Sequence, residues 1–467
     1  MTAPPGGAGA ATLRPWQAVA IVVGIVVGAG IFKTPALVAG QVPSVGWMLA
    51  LWAAGGLLTL CGALVYAELS TTWPSHAGEY HFLGRAWGRP VASLYAWARF
   101  TVITTGSLVL LGYVYGDYAT QLLPLGPHSA AWHAGLAIAV LTALNLRSLR
   151  SGANAQALMT ALELLGLLLI VAAGLAVAAG FGPVAATAAG PTAGPAAVPG
   201  LPAAGPTAGA LGLAMVFVLL TYGGWNDAAY LSADLRGRRA IAGVLLVSVA
   251  IVTALYLAVN AAYAAILGRA GLAASAAPAA DALRVVFGAA AGQLVAAMVA
   301  MAALTSMNAT LIVGARTAQA LGEDWPVLRG LGRWDAGRGT PPVALLAQGA
   351  LALALVVLAA AGGRGFQAMV EFTAPVFWLF FLLTGLALFR LRAREPLRPR
   401  PFRVPGYPVL PALFCLSCAG MLWSSLGYVG GQRLAGVSAA WVGLAVLGSG
   451  ALALALLHGL ERRARRI

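Results

Sequence analysis

Two stretches of the sequence place glycines beside polar residues inside runs that are otherwise apolar. The first reads Gly24-Ile-Val-Val-Gly28-Ala-Gly30-Ile-Phe-Lys-Thr-Pro35, the second Leu220-Thr-Tyr-Gly223-Gly224-Trp-Asn-Asp227. Glycine loses more backbone freedom on entering a helix than any other residue, so such clusters are where a helix can unwind. Unwinding leaves amide donors at the positive end of one half-helix and carbonyls at the negative end of the other. The donors suit a carboxylate and the carbonyls an ammonium, a natural receptor for an amino acid. Glycines also let helices pack closely, and Gly28-Ala-Gly30 alone would read that way. The second cluster, at a matching point of the chain, favours a pair of broken helices around a central site.

Ionisable residues within apolar runs are the other chemical signal, because each costs a few kcal/mol in a bilayer. Glu163 lies about ten residues, or about 15 Å, into its run. A carboxyl buried there can bind a proton near neutral pH, which makes Glu163 a candidate coupling group. A static partner for Lys33 is the alternative. Lys33, the only lysine of the chain, follows the first break. It is expected to pair either with Glu371, as a gate on the outer side, or with Glu163. Asp227 ends the second break, close enough to touch a bound solute, although it and Asp234 could instead neutralise Arg236, Arg238 or Arg239. Glu68 and Glu79 are expected to anchor loops against Arg85 or Arg89.

Thr305, Ser306 and Asn308 could line a sodium site, but hydroxyls in apolar helices more often bond their own backbone. Protons are therefore the expected coupling ion. Cys415 and Cys418 have the spacing of a metal or redox pair. They lie in an apolar run without further ligands, so they and Cys61 read as packing residues. The five histidines are scattered, and no nucleophile–base or metal spacing recurs. No enzyme activity, cofactor or metal is expected.

The elements that must hold these residues follow from composition. Of 467 residues, 60% are hydrophobic and 9% charged, against about 25% charged in a soluble domain. Apolar runs of about 20 residues follow one another, and in lipid such runs must be helices to satisfy their backbone. The short alternating segments of a membrane barrel are missing. An all-α protein with about twelve transmembrane helices is expected, at 16–39, 46–70, 91–121, 131–147, 154–179, 208–233, 240–267, 283–320, 343–361, 367–391, 409–429 and 437–459. The chain then divides into a tail (1–15), a five-helix set (16–179) and a Pro/Gly/Ala-rich outer loop (180–207). A second five-helix set (208–391), a basic linker (392–408), two more helices (409–459) and a basic tail (460–467) complete it.

The net charge of +15 would suggest nucleic acid in a soluble protein, but its placement argues for a lipid bilayer instead. With the N-terminus cytoplasmic, Arg85, Arg89, Arg147, Arg150, the 236–239 and 390–403 groups and the C-terminal arginines all face the cytoplasm. Only Arg269, Arg284, Arg364 and Arg433 fall outside, and Arg99 and Lys33 lie within spans. This is the positive-inside pattern with both termini cytoplasmic. The arginine-for-lysine usage fits a GC-rich bacterium and its cytoplasmic (inner) membrane.

The motifs resemble the amino acid–polyamine–organocation (APC) superfamily, close to its amino acid permeases and L-type transporters. The matching words are Gly28-Ala-Gly-Ile-Phe32, Tyr222-Gly-Gly-Trp-Asn226, Tyr66-Ala-Glu-Leu69, Pro74-Ser-His-Ala-Gly-Glu-Tyr80 and Arg400-Pro-Phe-Arg-Val-Pro-Gly-Tyr-Pro408. They run in order from about residue 14 to 430. The resemblance implies the five-plus-five inverted repeat of the LeuT fold with helices 1 and 6 broken. It implies that the amides of Ala29, Gly30 and Ile31 meet a substrate carboxylate. The carbonyls of Val26, Leu220, Thr221 and Gly223 would meet the ammonium, and Asn226 would lie near the substrate. Leu220 stands where many relatives carry an aromatic gate, and Glu163 stands in a motif where proton-coupled relatives often carry lysine. The implied activity is transport of amino acids, neutral ones foremost, by proton symport or exchange. An amine or polyamine carrier and a sensor or channel on the same fold are the alternatives.

Overall fold

A computed structural model describes residues 14–464, apart from 76, 148–151, 182–205, 232–239, 326–327, 336–339, 362–364, 428–432 and 435–436. Asp234, Arg236, Arg238, Arg239 and most of the 180–207 loop thus lie outside the described residues. Among the described residues the fold is helical save for a two-residue hairpin, Arg433–Leu434 against Val437–Ser438, and an isolated bridge between Asp335 and Thr340. Ten helices among the described residues are long and apolar enough to cross a membrane. Two shorter apolar helices stand near the two ends of the chain, Pro15–Val26 and Ala439–Ala455.

The first break falls where the glycines cluster. Helix α1 (Pro15–Val26) stops, Gly28 is extended at φ −114° and ψ −179°, and a 3-10 turn spans Ala29–Phe32. Helix α2 (Thr34–Gln41) then restarts with Pro35 in its first turn, where a missing amide costs nothing. Helix α3 (Val45–Thr72) follows, capped by the Ser44 hydroxyl on the Trp47 amide.

The 71–90 link contains a helix of its own, α4 (Gly78–Trp87). The third span is α5 (Arg89–Ala98), a π-helical segment (Arg99–Thr104) and α6 (Thr105–Leu122). The carbonyls of Arg99 and Phe100 in that wider segment accept the Thr104 and Thr105 hydroxyls at 2.5 and 2.7 Å. Helices α7 (Ser129–Arg147) and α8 (Gly152–Ala178) complete the first half.

Helix α9 (Ala208–Thr221) ends at the second break, and a 3-10 segment covers Trp225–Leu231. Gly224 has φ +100°, a conformation costly to any residue with a Cβ, and a Cβ there would also approach Ile25 at 3.0 Å. The eighth span departs from the expected 283–320. A separate helix α11 (Pro278–Phe287) follows α10 (Ala240–Ala274), and α12 (Ala289–Asp324) starts only after Gly288 at φ +85°. Asp281 and Arg284 form an ion pair at 2.8 Å on α11, and Gly288 divides that helix from α12. Helices α13 (Pro342–Ala360), α14 (Gly365–Arg394), α15 (Val409–Gly427) and α16 (Ala439–Ala464) complete the chain.

Glu68 at the end of α3 is fully buried and anchors the basic linker. It pairs with Arg392 and Arg400 and accepts the Val404 amide at 2.7 Å, in place of the expected Arg85 or Arg89. Arg85 pairs instead with Glu395 at 2.8 Å. That hydrogen bond, before the charges of Arg85 and Arg398, holds the Glu395 carboxyl below the usual range. A depressed carboxylate stabilises the fold above its unfolded pKa and loses that contribution as pH falls through the lowered value. The pair is about a third exposed and screened by solvent, so its worth is at most about 1 kcal/mol. Glu395→Gln is expected to leave thermal stability near neutral pH within a degree or two and to flatten slightly its decline on acidification.

Candidate functional site

The two breaks face each other. A Cβ on Gly30 would lie 3.4 Å from the Thr221 side chain, and one on Gly224 would lie 3.2 Å from the Ile25 carbonyl. Tyr256 of α10, fully buried, joins them: its hydroxyl lies 2.8 Å from the Val26 carbonyl and 3.2 Å from that of Thr221. It is a single donor serving two carbonyls; that of Val26 also accepts the Gly28 amide at 2.8 Å. Ala29 and Gly30 open the 3-10 turn, so their amides find no acceptor within it. Among the described residues neither amide donates a hydrogen bond elsewhere, whereas Ile31 donates to Gly28 at 3.4 Å. Leu220 and Gly223 sit at the end of α9, with the Gly223 amide on the Leu220 carbonyl at 3.0 Å. Val26, Ala29, Gly30, Ile31, Leu220, Thr221 and Gly223 are thus gathered at one place.

Asn226 is placed differently. It is buried with its amide 3.1 Å from Glu79, part of a polar cluster on the α4 side of the breaks. Glu79 also accepts hydrogen bonds from Tyr66 at 2.6 Å, from Tyr95, and from Arg99 at 3.3 Å. Arg99 in turn reaches Asp227 at 3.2 Å and the Tyr95 hydroxyl at 2.8 Å. Glu79 therefore binds Arg99 and three uncharged donors, where Arg85 or Arg89 was expected. Burial pushes its carboxyl up, and Arg99 and the two tyrosines pull it back down. Trp225 packs edge-on to Tyr66 with centroids 4.9 Å apart, and against Phe381 and Phe414 at 5.7 and 6.4 Å.

On the α11 side, the Lys33 ammonium lies 2.7 Å from Asp117 of α6 and donates to the Ala276 carbonyl at 3.0 Å. Tyr118 donates to the Phe32 carbonyl at 2.8 Å and accepts the Ala279 amide at 3.2 Å. The far half of the first span is thereby tied to α6 and to the start of α11. Asp117 fills the place for which Glu371 and Glu163 were considered. Its charge within the third span, opposite in sign to Lys33, was the available signal. Glu371 is buried on α14.

Glu163 is buried on α8, and its Oε1 has no hydrogen-bond partner. Helix α8 packs closely on α10 at Gly174, where a Cβ would come within 2.5 Å of the Ala262 backbone. Thr305 bonds its own helix at Met301, and Asn308 accepts the Asn145 amide at 2.6 Å. Cys61, Cys415 and Cys418 are buried free thiols.

The chain is thus a polytopic helical membrane protein with two facing helix breaks and an ion pair on either side of them. The family model described as "Amino acid permease" matches residues 13–449, and the chain belongs to that family, within the APC superfamily. Its curated relatives are amino acid transporters. The human b(0,+)-type amino acid transporter 1 is 29% identical over 85% of this chain and 79% of its own length. The mouse large neutral amino acids transporter small subunit 2 is 27% identical over 85% and 73%. The cystine/glutamate transporter of Pongo abelii is 25% identical over 88% and 79%.

Proposed function

We propose that the protein is a secondary active transporter of amino acids, neutral L-amino acids foremost, working by alternating access across a bacterial cytoplasmic membrane. The observation that carries this reading is the pair of facing breaks joined by Tyr256, with the Ala29 and Gly30 amides unengaged beside carbonyls of the other break. In this reading the amides of Ala29, Gly30 and Ile31 take the α-carboxylate, and the carbonyls of Val26, Leu220, Thr221 and Gly223 take the ammonium. Twelve spans form two inverted five-helix sets, 16–179 and 208–391, with two added helices. Both termini are cytoplasmic, so the α4 side faces the cytoplasm and the α11 side faces outward.

Alternating access then requires each closure to open in turn. Lys33–Asp117 is the outer gate and the Arg99 cluster the inner one. Lys33→Asp and Asp117→Lys singly are expected to lower uptake on the order of tenfold, in line with loss of a charged hydrogen bond. The double exchange is expected to restore much of it; failure to do so in a folded protein counts against the gate. Glu163 is the proton-coupling group, with symport or exchange as the mode. Its unpartnered oxygen also favours a second reading, a carrier of amines or polyamines.

The test is uptake of labelled amino acids into proteoliposomes with and without an acid-outside gradient. Stimulation by the gradient supports symport, and uptake that needs amino acid inside supports exchange. Uptake of amines and of no amino acid would overturn the reading.

A further inference from the structure

Among the described residues, two carboxylates share one guanidinium on the α4 side, and they are held unequally. Glu79 is 4% exposed and accepts four donors, which fills the capacity of a carboxylate. Asp227 is 36% exposed and meets Arg99 through one contact at 3.2 Å. Asp227 is thus the accessible end of the pair, the group a solute can reach, whereas Glu79 is buried and fully bonded. Arg99 is 12% exposed, and its position is set by the π-helical segment that it opens. Asp227 stands three residues past Gly224, on the segment that leaves the second break. The accessible end of the cluster therefore lies next along the chain from the proposed central site.

An arginine and an aspartate in contact carry the charges of an amino acid zwitterion in reverse. A free α-carboxylate can replace Asp227 at the Arg99 Nη2 that it occupies. The Asp227 carboxylate released by that swap is then available to the α-ammonium. Every charge stays paired throughout, so the swap avoids the cost of stranding a partly buried guanidinium. Behind the cluster, Tyr66 holds Glu79 through its hydroxyl and packs edge-on to Trp225.

We propose that Arg99 and Asp227 form a second, lower-affinity binding site for the amino acid zwitterion on the α4 side, occupied as the substrate leaves or enters there. This rests on the amino acid reading above. The substrate itself competes for the ion pair that closes that side, so arrival of substrate and loosening of the gate are one event. Glu79 keeps Arg99 in place during the exchange and is not itself displaced.

The experiment measures KM for a labelled neutral amino acid from each face, using membrane vesicles of the two orientations. Asp227→Asn is expected to raise KM on the α4 face on the order of tenfold, the effect of losing a charge-assisted hydrogen bond. KM on the α11 face should stay within about twofold, and Asp227→Glu should recover most of the loss. A variant that changes turnover and leaves KM on the α4 face unaltered makes the pair a gate only and overturns the proposal. If Asp227→Asn fails to fold, the Asp227→Glu variant and an amine lacking the carboxylate replace it. That amine should fail to compete from the α4 face, and equal competition by it overturns the site. An unaltered protein that moves no amino acid from either face removes both the amino acid reading and this site, while one-sided insensitivity removes this site alone.

Discussion

Replacing Glu163 by glutamine is expected to abolish the acceleration of uptake by an acid-outside gradient while leaving amino acid exchange at symmetrical pH largely intact. Glutamine keeps the volume of the buried side chain and one acceptor oxygen, but it neither gains nor releases a proton. The expectation rests on how differently Glu163 is held from its counterparts. Glu68, Glu79, Asp117 and Asp227 each contact an arginine or lysine. Among the described residues Glu163 keeps an oxygen without a hydrogen-bond partner, on the helix that packs against the one carrying Tyr256. An ionised carboxylate in that position carries an uncompensated cost of several kcal/mol, which a proton or a bound cation relieves. Gradient-driven uptake that is unchanged in the variant would take Glu163 out of coupling. Loss of exchange as well, in a protein that still binds substrate, would make it part of the central site.

Glu68→Ala is expected to produce the largest loss of stability in the molecule, about 3–5 kcal/mol, the usual cost of removing one partner from a buried ion pair. Glu68 is fully buried, receives Arg392 through two nitrogens, and caps the Val404 amide. Among the described residues, truncation leaves the Arg392 guanidinium its stacking on Tyr407 at 3.8 Å and no carboxylate. It also leaves an amide of the 392–408 linker without its acceptor. Thermal melting in detergent should show a large downward shift for Glu68→Ala, a smaller one for Glu68→Gln, and almost none for Glu395→Gln. Equal shifts for Glu68→Ala and Glu395→Gln would mean that the clamp contributes no more than a surface pair.

The breaks were legible because their cause is local. Glycine spacing in Gly24–Gly30 and at Gly223-Gly224 unwinds the helix wherever the rest of the chain goes. The ten long apolar helices were legible for the same reason, since a bilayer reads hydropathy one segment at a time. Helix α11 was hidden because its apolar residues run on into those of α12, and only a glycine at positive φ divides them. The ion pairs were misassigned wherever the nearest opposite charge in sequence was taken as the partner. Glu79 looked to Arg85 or Arg89 and found Arg99 from the next span, while Glu68 found the linker before α15. Those partners are chosen by tertiary packing, which brings α4, α5 and the segment after Gly224 around one carboxylate. Tyr256 had no motif around it, and its importance follows only from where its hydroxyl arrives.

The most direct test of the central claim is equilibrium binding of a labelled neutral amino acid to purified protein carrying Gly30→Val. A Cβ at this position already lies 3.4 Å from Thr221, so the valine branches would wedge between the breaks. The account predicts loss of binding together with a thermal melting curve close to that of the unaltered protein. Binding at unaltered affinity by the folded variant would show that the substrate does not sit between the breaks, and the account would fail.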